Sequence, residues 1–184
     1  MPAVDKNEKD FILGYKRNEA EENLNDQEKK ELQKYAAELS KDLESAEIFG
    51  KEREETYNAL MNYQVCYLCE EHFRNAYNKQ KATVEGLLKK PYEGNDKKKQ
   101  EEYLSSFSEA KARMNVLEAK YNNFHNDKME MEEIKENERD DVPLLKKYEG
   151  AIYDRLAERG KGDTIAQSPK YGPTVQQQNS PKKR

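Results

Sequence analysis

The sequence predicts an all-α protein: an elongated antiparallel coiled-coil hairpin or three-helix bundle, followed by a disordered C-terminal tail. Three observations carry this expectation. First, Tyr103, Phe107, Ala110, Met114, Leu117, Tyr121, Phe124, Lys128 and Met131 follow one another at alternating spacings of four and three. All but Lys128 are apolar or aromatic, and Glu, Lys, Arg, Asn and Ser fill most positions between them. A repeat of this period aligns its side chains along one seam of a helix, which must be buried against other helices. Second, no Gly or Pro interrupts the chain from Asp96 to Asp140. A helix over that range measures roughly 65 Å at 1.5 Å per residue, too long for a compact globule. Third, only 34% of the 184 residues are hydrophobic while 38% are charged. A low apolar content that is nevertheless periodic points to a narrow core with a large solvated surface.

The chain divides into a polar N-terminal arm over 1–27, a helical domain over 28–159 and a tail over 160–184. The arm holds one short apolar patch, Phe11, Ile12, Leu13 and Tyr15. Such a patch docks locally or serves as a small amphipathic membrane anchor. Four apolar residues supply less area than anchors of that kind use, which favours docking.

Asp26 is a suitable cap for a helix running to Phe49, with its seam at Leu32, Ala36, Leu39, Leu43 and Ala46 and Tyr35 alongside. Gly50 interrupts or kinks that helix, and the spacing leaves open whether a loop intervenes. A second helix spans about Glu52 to Leu88, with Tyr57, Met61, Val65, Leu68, His72, Ala76, Thr83 and Leu87 on its inner side. Pro91, Gly94 and Asn95-Asp96 then supply a turn, and Asp96 can cap the long third helix. A short connection between long helices makes them antiparallel neighbours. Pro143 kinks or restarts the helix, with Asp141 a second candidate cap. Val142, Leu144, Leu145, Tyr148, Ile152, Tyr153 and Leu156 continue the apolar period to about Glu158. From Gly160 onward Gly, Pro, Gln and Ser dominate without a period, as in disordered segments.

Charge is uneven. The formal net charge is −4, but residues 161–184 carry Lys161, Lys170, Lys182, Lys183 and Arg184 against Asp163, a net +4 that leaves −8 on the rest. An isoelectric point near 5.5 argues against a generic nucleic-acid binder. No secretory h-region follows Met1, and two Cys without one suit a reduced, intracellular setting. The positive charge of the helical part gathers around the turn, at Lys79, Lys81, Lys89, Lys90, Lys97, Lys98 and Lys99. Exposed lysines serve solubility, but a cluster at the end of a rod also attracts anionic lipid at about 1 kcal/mol per residue.

Catalytic chemistry finds little support. Cys66 and Cys69 form a CxxC with His72 nearby, yet the fourth ligand of a zinc site is missing and the motif lies mid-helix. Buried cysteine is a good small core residue, so a structural role is expected for both. The acidic run from Glu130 to Asp141 reads as a solvated helix face. No nucleophile–base pair, glycine-rich phosphate loop or HExxH occurs, so the protein is not expected to be an enzyme, and no cofactor or metal is expected. Ser180-Pro181-Lys182-Lys183 and Ser168-Pro169 have the form of proline-directed phosphorylation sites, and Pro181–Arg184 that of a weak nuclear signal or a phosphate-binding hook.

The order of parts resembles BAR domains, the crescent-shaped dimeric membrane-curvature modules. The resemblance spans about residues 28–158 and is best over Ala110–Leu156, where Glu118-Ala119-Lys120-Tyr121-Asn122-Asn123-Phe124 precedes Asp140-Asp141-Val142-Pro143-Leu144-Leu145. Amphiphysin-like members have a similar acidic, acidic, aliphatic, Pro step, and residues Leu60–Arg139 look like the helix–tip–helix part of sorting-nexin members. The first helix is short for that family, no amphipathic N-terminal helix precedes it and the body is acidic. The resemblance implies a homodimer that senses or stabilises curvature on anionic membranes in endocytosis or vesicle trafficking. It places the protein in the cytoplasm, peripheral on membranes, with other trafficking proteins recruited through the tail. It assigns membrane contact to Lys89, Lys90, Lys97, Lys98 and Lys99, joined by Lys79 and Lys81 if these face the concave side. The rival expectation is a cytoplasmic coiled-coil scaffold subunit of a larger assembly that never touches lipid.

Overall fold

The computed structural model describes residues 9–133 and 143–160. Its described residues are all-α, without a strand. After a helical turn at 9–13 come α1 (Arg17–Glu21), α2 (Asp26–Ser45), α3 (Gly50–Lys89), α4 (Lys97–Glu132) and α5 (Leu144–Glu158). The acidic stretch beyond Glu133, with Ile134 and the Asp141 cap, lies outside the described residues, as does the tail after Gly160 with its two Ser-Pro sites.

Asn25, not Asp26, starts α2. It sits in extended conformation and closes a capping box: Glu28 N donates to Asn25 Oδ1 at 2.8 Å, and Asn25 N donates to Glu28 Oε1 at 2.8 Å. Two otherwise orphaned donors are satisfied reciprocally, which a cap one residue later would not achieve. Asn25→Ala should therefore cost about 1 kcal/mol in urea unfolding, and Asp26→Ala much less.

A turn separates α2 from α3. Ile48 N donates to Leu43 O across it, and Glu47 takes a left-handed φ of 57° that glycine usually occupies. The Glu47 carboxylate accepts from Arg159 Nε at 2.8 Å, and Ile48 enters the core. Gly50, at φ 65°, is the first residue of α3 rather than a kink in α2.

At 40 residues α3 is roughly 60 Å long, and α4, at 36, roughly 54 Å. They pair antiparallel. Tyr103 Oη donates to Leu87 O at 2.7 Å and Gln80 Nε2 to Ala110 O at 3.0 Å, while Phe73 stacks on Phe124 at 5.8 Å. Every residue of the expected seam from Tyr103 to Met131 is buried or half-buried, and most positions between them are exposed. The helix ends at Glu132, short of the Asp140 expected from the missing breakers.

Burial divides the hairpin into two zones. From Ala59 to Glu70, α3 is enclosed on almost every side. There it meets Leu32, Leu39 and Leu43 of α2, Met131 of α4 and Leu145, Ile152 and Leu156 of α5, all in one core. Each such aliphatic side chain contributes about 1.5–3 kcal/mol by leaving water. Beyond Phe73, Val84 is the only buried residue of α3, and α4 buries none before Lys128. The distal hairpin is thus a two-helix arm reaching roughly 25 Å past a multi-helix head.

The N-terminal arm is docked from residue 9 onward. Ile12 is 1% exposed, Leu24 and Ala20 join the core, and Phe11, Leu13 and Tyr15 pack against it. Asn62, buried on α3, donates to Ile12 O at 2.7 Å and accepts from Arg17 Nη1 at 2.6 Å. The apolar patch packs against the bundle through Ile12, with Phe11, Leu13 and Tyr15 half-buried beside it.

Candidate interaction site on the hairpin arm

The turn after α3 is built by short-range bonds. Asp96 caps α4, its Oδ1 accepting from Lys98 N at 2.9 Å. Asp96 N in turn donates to Tyr92 Oη at 3.1 Å. The tyrosine ring lies over Gly94, where any Cβ would strike it.

Lys79, Lys81, Lys89, Lys90, Lys97, Lys98 and Lys99 are all exposed, and no ion pair within the described residues involves them. They do not form one face. Each helical residue turns the chain by about 100°, so Lys79 and Lys81 lie about 200° apart and cannot both face one concave side. Lys97, Lys98 and Lys99 likewise fan around the start of α4. The basic charge is a collar, and the exposed Glu101 and Glu102 follow it within a turn.

At the base of the arm lies a charge cluster that sequence reasoning did not single out. Glu70 is 0% exposed, and its carboxylate accepts from Lys128 Nζ at 3.1 Å, Arg74 Nη2 at 3.0 Å and His125 Nδ1 at 2.6 Å. Arg74 also lies over Tyr121, and Lys120 over Phe73. These contacts fasten α3 to α4 where the head ends. His72, on another side of α3, meets Glu28 of α2 at 2.9 Å. A signal for the cluster was present: Lys128 occupies a seam position, and a lysine there needs a carboxylate across the interface.

Cys66 and Cys69 are free and buried, and burial pushes each thiol up to about 12. Cys69 Sγ donates to Ala20 O at 3.2 Å, so it holds the N-terminal segment against α3. Among the described residues no three His, Cys, Asp or Glu side chains are grouped to hold a metal. A groove of about 620 Å³ between the N-terminal segment and α4 is lined by Phe11, Tyr15, Lys16, Lys120, Phe124 and Asp127. Tyr15 Oη donates to Asp127 Oδ2 at 3.2 Å there, an arrangement that pairs a phenol with an acid but presents no activated nucleophile.

Fold and arm together define a class: an all-α helical hairpin with a packed head and an exposed two-helix limb. Among the described residues no helix is long and apolar enough to cross a membrane. Set against protein-family models, curated proteins and solved structures, the chain matches none.

Proposed function

We infer that the protein is a non-catalytic helical interaction module, a cytoplasmic coiled-coil scaffold subunit that offers its arm to a partner within a larger assembly. The observation that carries this reading is the contrast between head and arm. The head encloses its apolar residues, whereas the arm holds two helices by a single half-buried seam with both flanks open to solvent. Two-helix pairs commonly complete their burial with further helices, and such a surface recruits partners without bond chemistry.

A second reading, a membrane-curvature module of BAR type, draws support from the collar of unpaired lysines. In that reading two copies pair and carry a collar at each far end, where the weak attractions of single lysines add. Against it stand the acidic body and the wide angular spread of the lysines. Co-sedimentation with phosphatidylserine-rich vesicles at low and at physiological salt separates the two. The scaffold reading expects the chain to stay in the supernatant at both. Pelleting at low salt that salt reverses, and that Lys89, Lys90, Lys97, Lys98 and Lys99 changed together to Glu abolish, would transfer the assignment to the membrane.

A further inference from the structure

The two flanks of the arm differ, and one of them is incomplete. The register places Leu87 level with Tyr103 and Gln80 level with Ala110. One step further along each helix stand Leu88 and Leu104, offset by about 3 Å along the axis, and Lys81 and Lys111, offset likewise. In an antiparallel pair, a step toward the C-terminus of both helices leads to the same flank, so these four residues share one side of the seam. Lys97 stands seven residues before Leu104 and continues the line toward the turn. Leu88 is 59% exposed and Leu104 54%, two of the most exposed large apolar residues described. Lys81, Lys97 and Lys111 are exposed and take part in no ion pair within the described residues. At the matching positions of the other flank stand Ala76, Thr83, Lys90, Lys99, Ser106 and Arg113, none of them large and apolar, with exposed Val116 beyond them toward the head.

Positions beside a coiled-coil seam usually carry opposite charges that lock the pair. Here Lys81 and Lys111 share one side of the seam without a carboxylate partner and two leucines face water, so the flank does not lock its own hairpin and suits a third chain. Resting on the interaction-module reading, we propose that this flank is the docking site for an amphipathic helix of a partner protein that presents a leucine ridge bordered by glutamates or aspartates. Charge complementarity selects that occupant: its acids meet Lys81, Lys97 and Lys111 while its ridge covers Leu88 and Leu104. A second copy of the same flank would set lysine against lysine and is disfavoured on the same ground. A third helix also completes the burial of Tyr77, Leu87, Tyr103 and Phe107, which the two-helix arm leaves half-exposed.

The test uses the full chain and two synthetic heptad peptides with identical leucine ridges, one flanked by Glu and the other by Lys, read by fluorescence anisotropy. The Glu peptide should bind and the Lys peptide should not. Leu88→Ser with Leu104→Ser should weaken binding by about tenfold or more, since two apolar anchors are lost. Lys81→Glu with Lys111→Glu should invert the preference toward the Lys peptide. All four positions are solvent-facing, and circular dichroism checks that the variants keep their helicity. The proposal is overturned if neither peptide binds, or if the Glu peptide binds equally to the parent and both variants. It is also overturned if the leucine pair is needed for vesicle pelleting or for a dimer mass in sedimentation equilibrium, which would give the flank to lipid or to a second copy. Failure of the broader reading looks different: vesicle pelleting that depends on Lys89, Lys90 and Lys97–Lys99 while the leucine pair has no effect.

Discussion

Glu70→Ala should lower the unfolding free energy by about 3–5 kcal/mol, because it removes one partner of the buried ion pair with Lys128. Lys128 is 4% exposed, and its Nζ lies 3.1 Å from Glu70 Oε1 and over the Tyr67 ring. Arg74 and His125 lose the same carboxylate but are partly solvated, so their share of the loss is small. Urea unfolding followed by circular dichroism measures the effect. Removing both charges, as in Glu70→Leu with Lys128→Met, should restore much of the stability, since a packed apolar pair often matches a buried ion pair. If the double variant were as unstable as Glu70→Ala, the lost interaction would not be the ion pair. Hydrogen exchange should also show the loss locally: the arm, with only Val84 buried beyond Phe73, opens more readily once its base is unfastened.

Glu149→Gln should flatten a loss of stability that the parent shows between about pH 4.5 and pH 8. Glu149 lies on α5 at 2% exposure, with its Oε2 unpartnered within the described structure. Burial raises its carboxyl to about 8, a trend that Lys146 opposes and Glu132 reinforces. Tyr35 and Tyr153 lie near it, and neither supplies a charge of opposite sign at neutral pH. The folded state therefore holds the proton more tightly than the unfolded chain does. The stability this provides is full below the unfolded value and declines as pH rises through the folded one. By linkage the decline amounts to a few kcal/mol, about 5 at most, by alkaline pH. The glutamine variant keeps the shape and cannot ionise, so it should be the more stable protein above pH 8. A parent whose thermal midpoint is level from pH 5 to pH 9 would contradict the assignment. Because α5 also rests on Leu145, Ile152 and Leu156, the alkaline loss should weaken its docking without abolishing the fold at once.

Much of this architecture is legible in the residues themselves. The hairpin, its seam from Tyr103 to Met131, the turn around Pro91 and Gly94, the Asp96 cap and the fresh helix after Pro143 all follow from local rules. Helical period and capping act over three or four residues, so spacing alone reveals them. The cap at Asn25 was within reach of the same rules, through Glu28 three residues on. The short loop before Gly50 was not, because it relies on Glu47 in a left-handed conformation that its residue type does not announce.

What the sequence determined by itself, then, is where helices form and which stripe of each avoids water. The tertiary structure alone decided which stripes meet. It brought Glu70 to Lys128, 58 residues away, and Asn62 to the carbonyl of Ile12, 50 residues away. It drew the polar-looking N-terminal arm into the core and turned the lysines of the tip outward in several directions. It also left Leu88 and Leu104 uncovered on one flank. The reason is that period is a property of one helix, whereas burial of a charge or exposure of a leucine depends on what stands opposite. That depends on the register between helices, which is set by the sum of their contacts and not by any one residue's spacing.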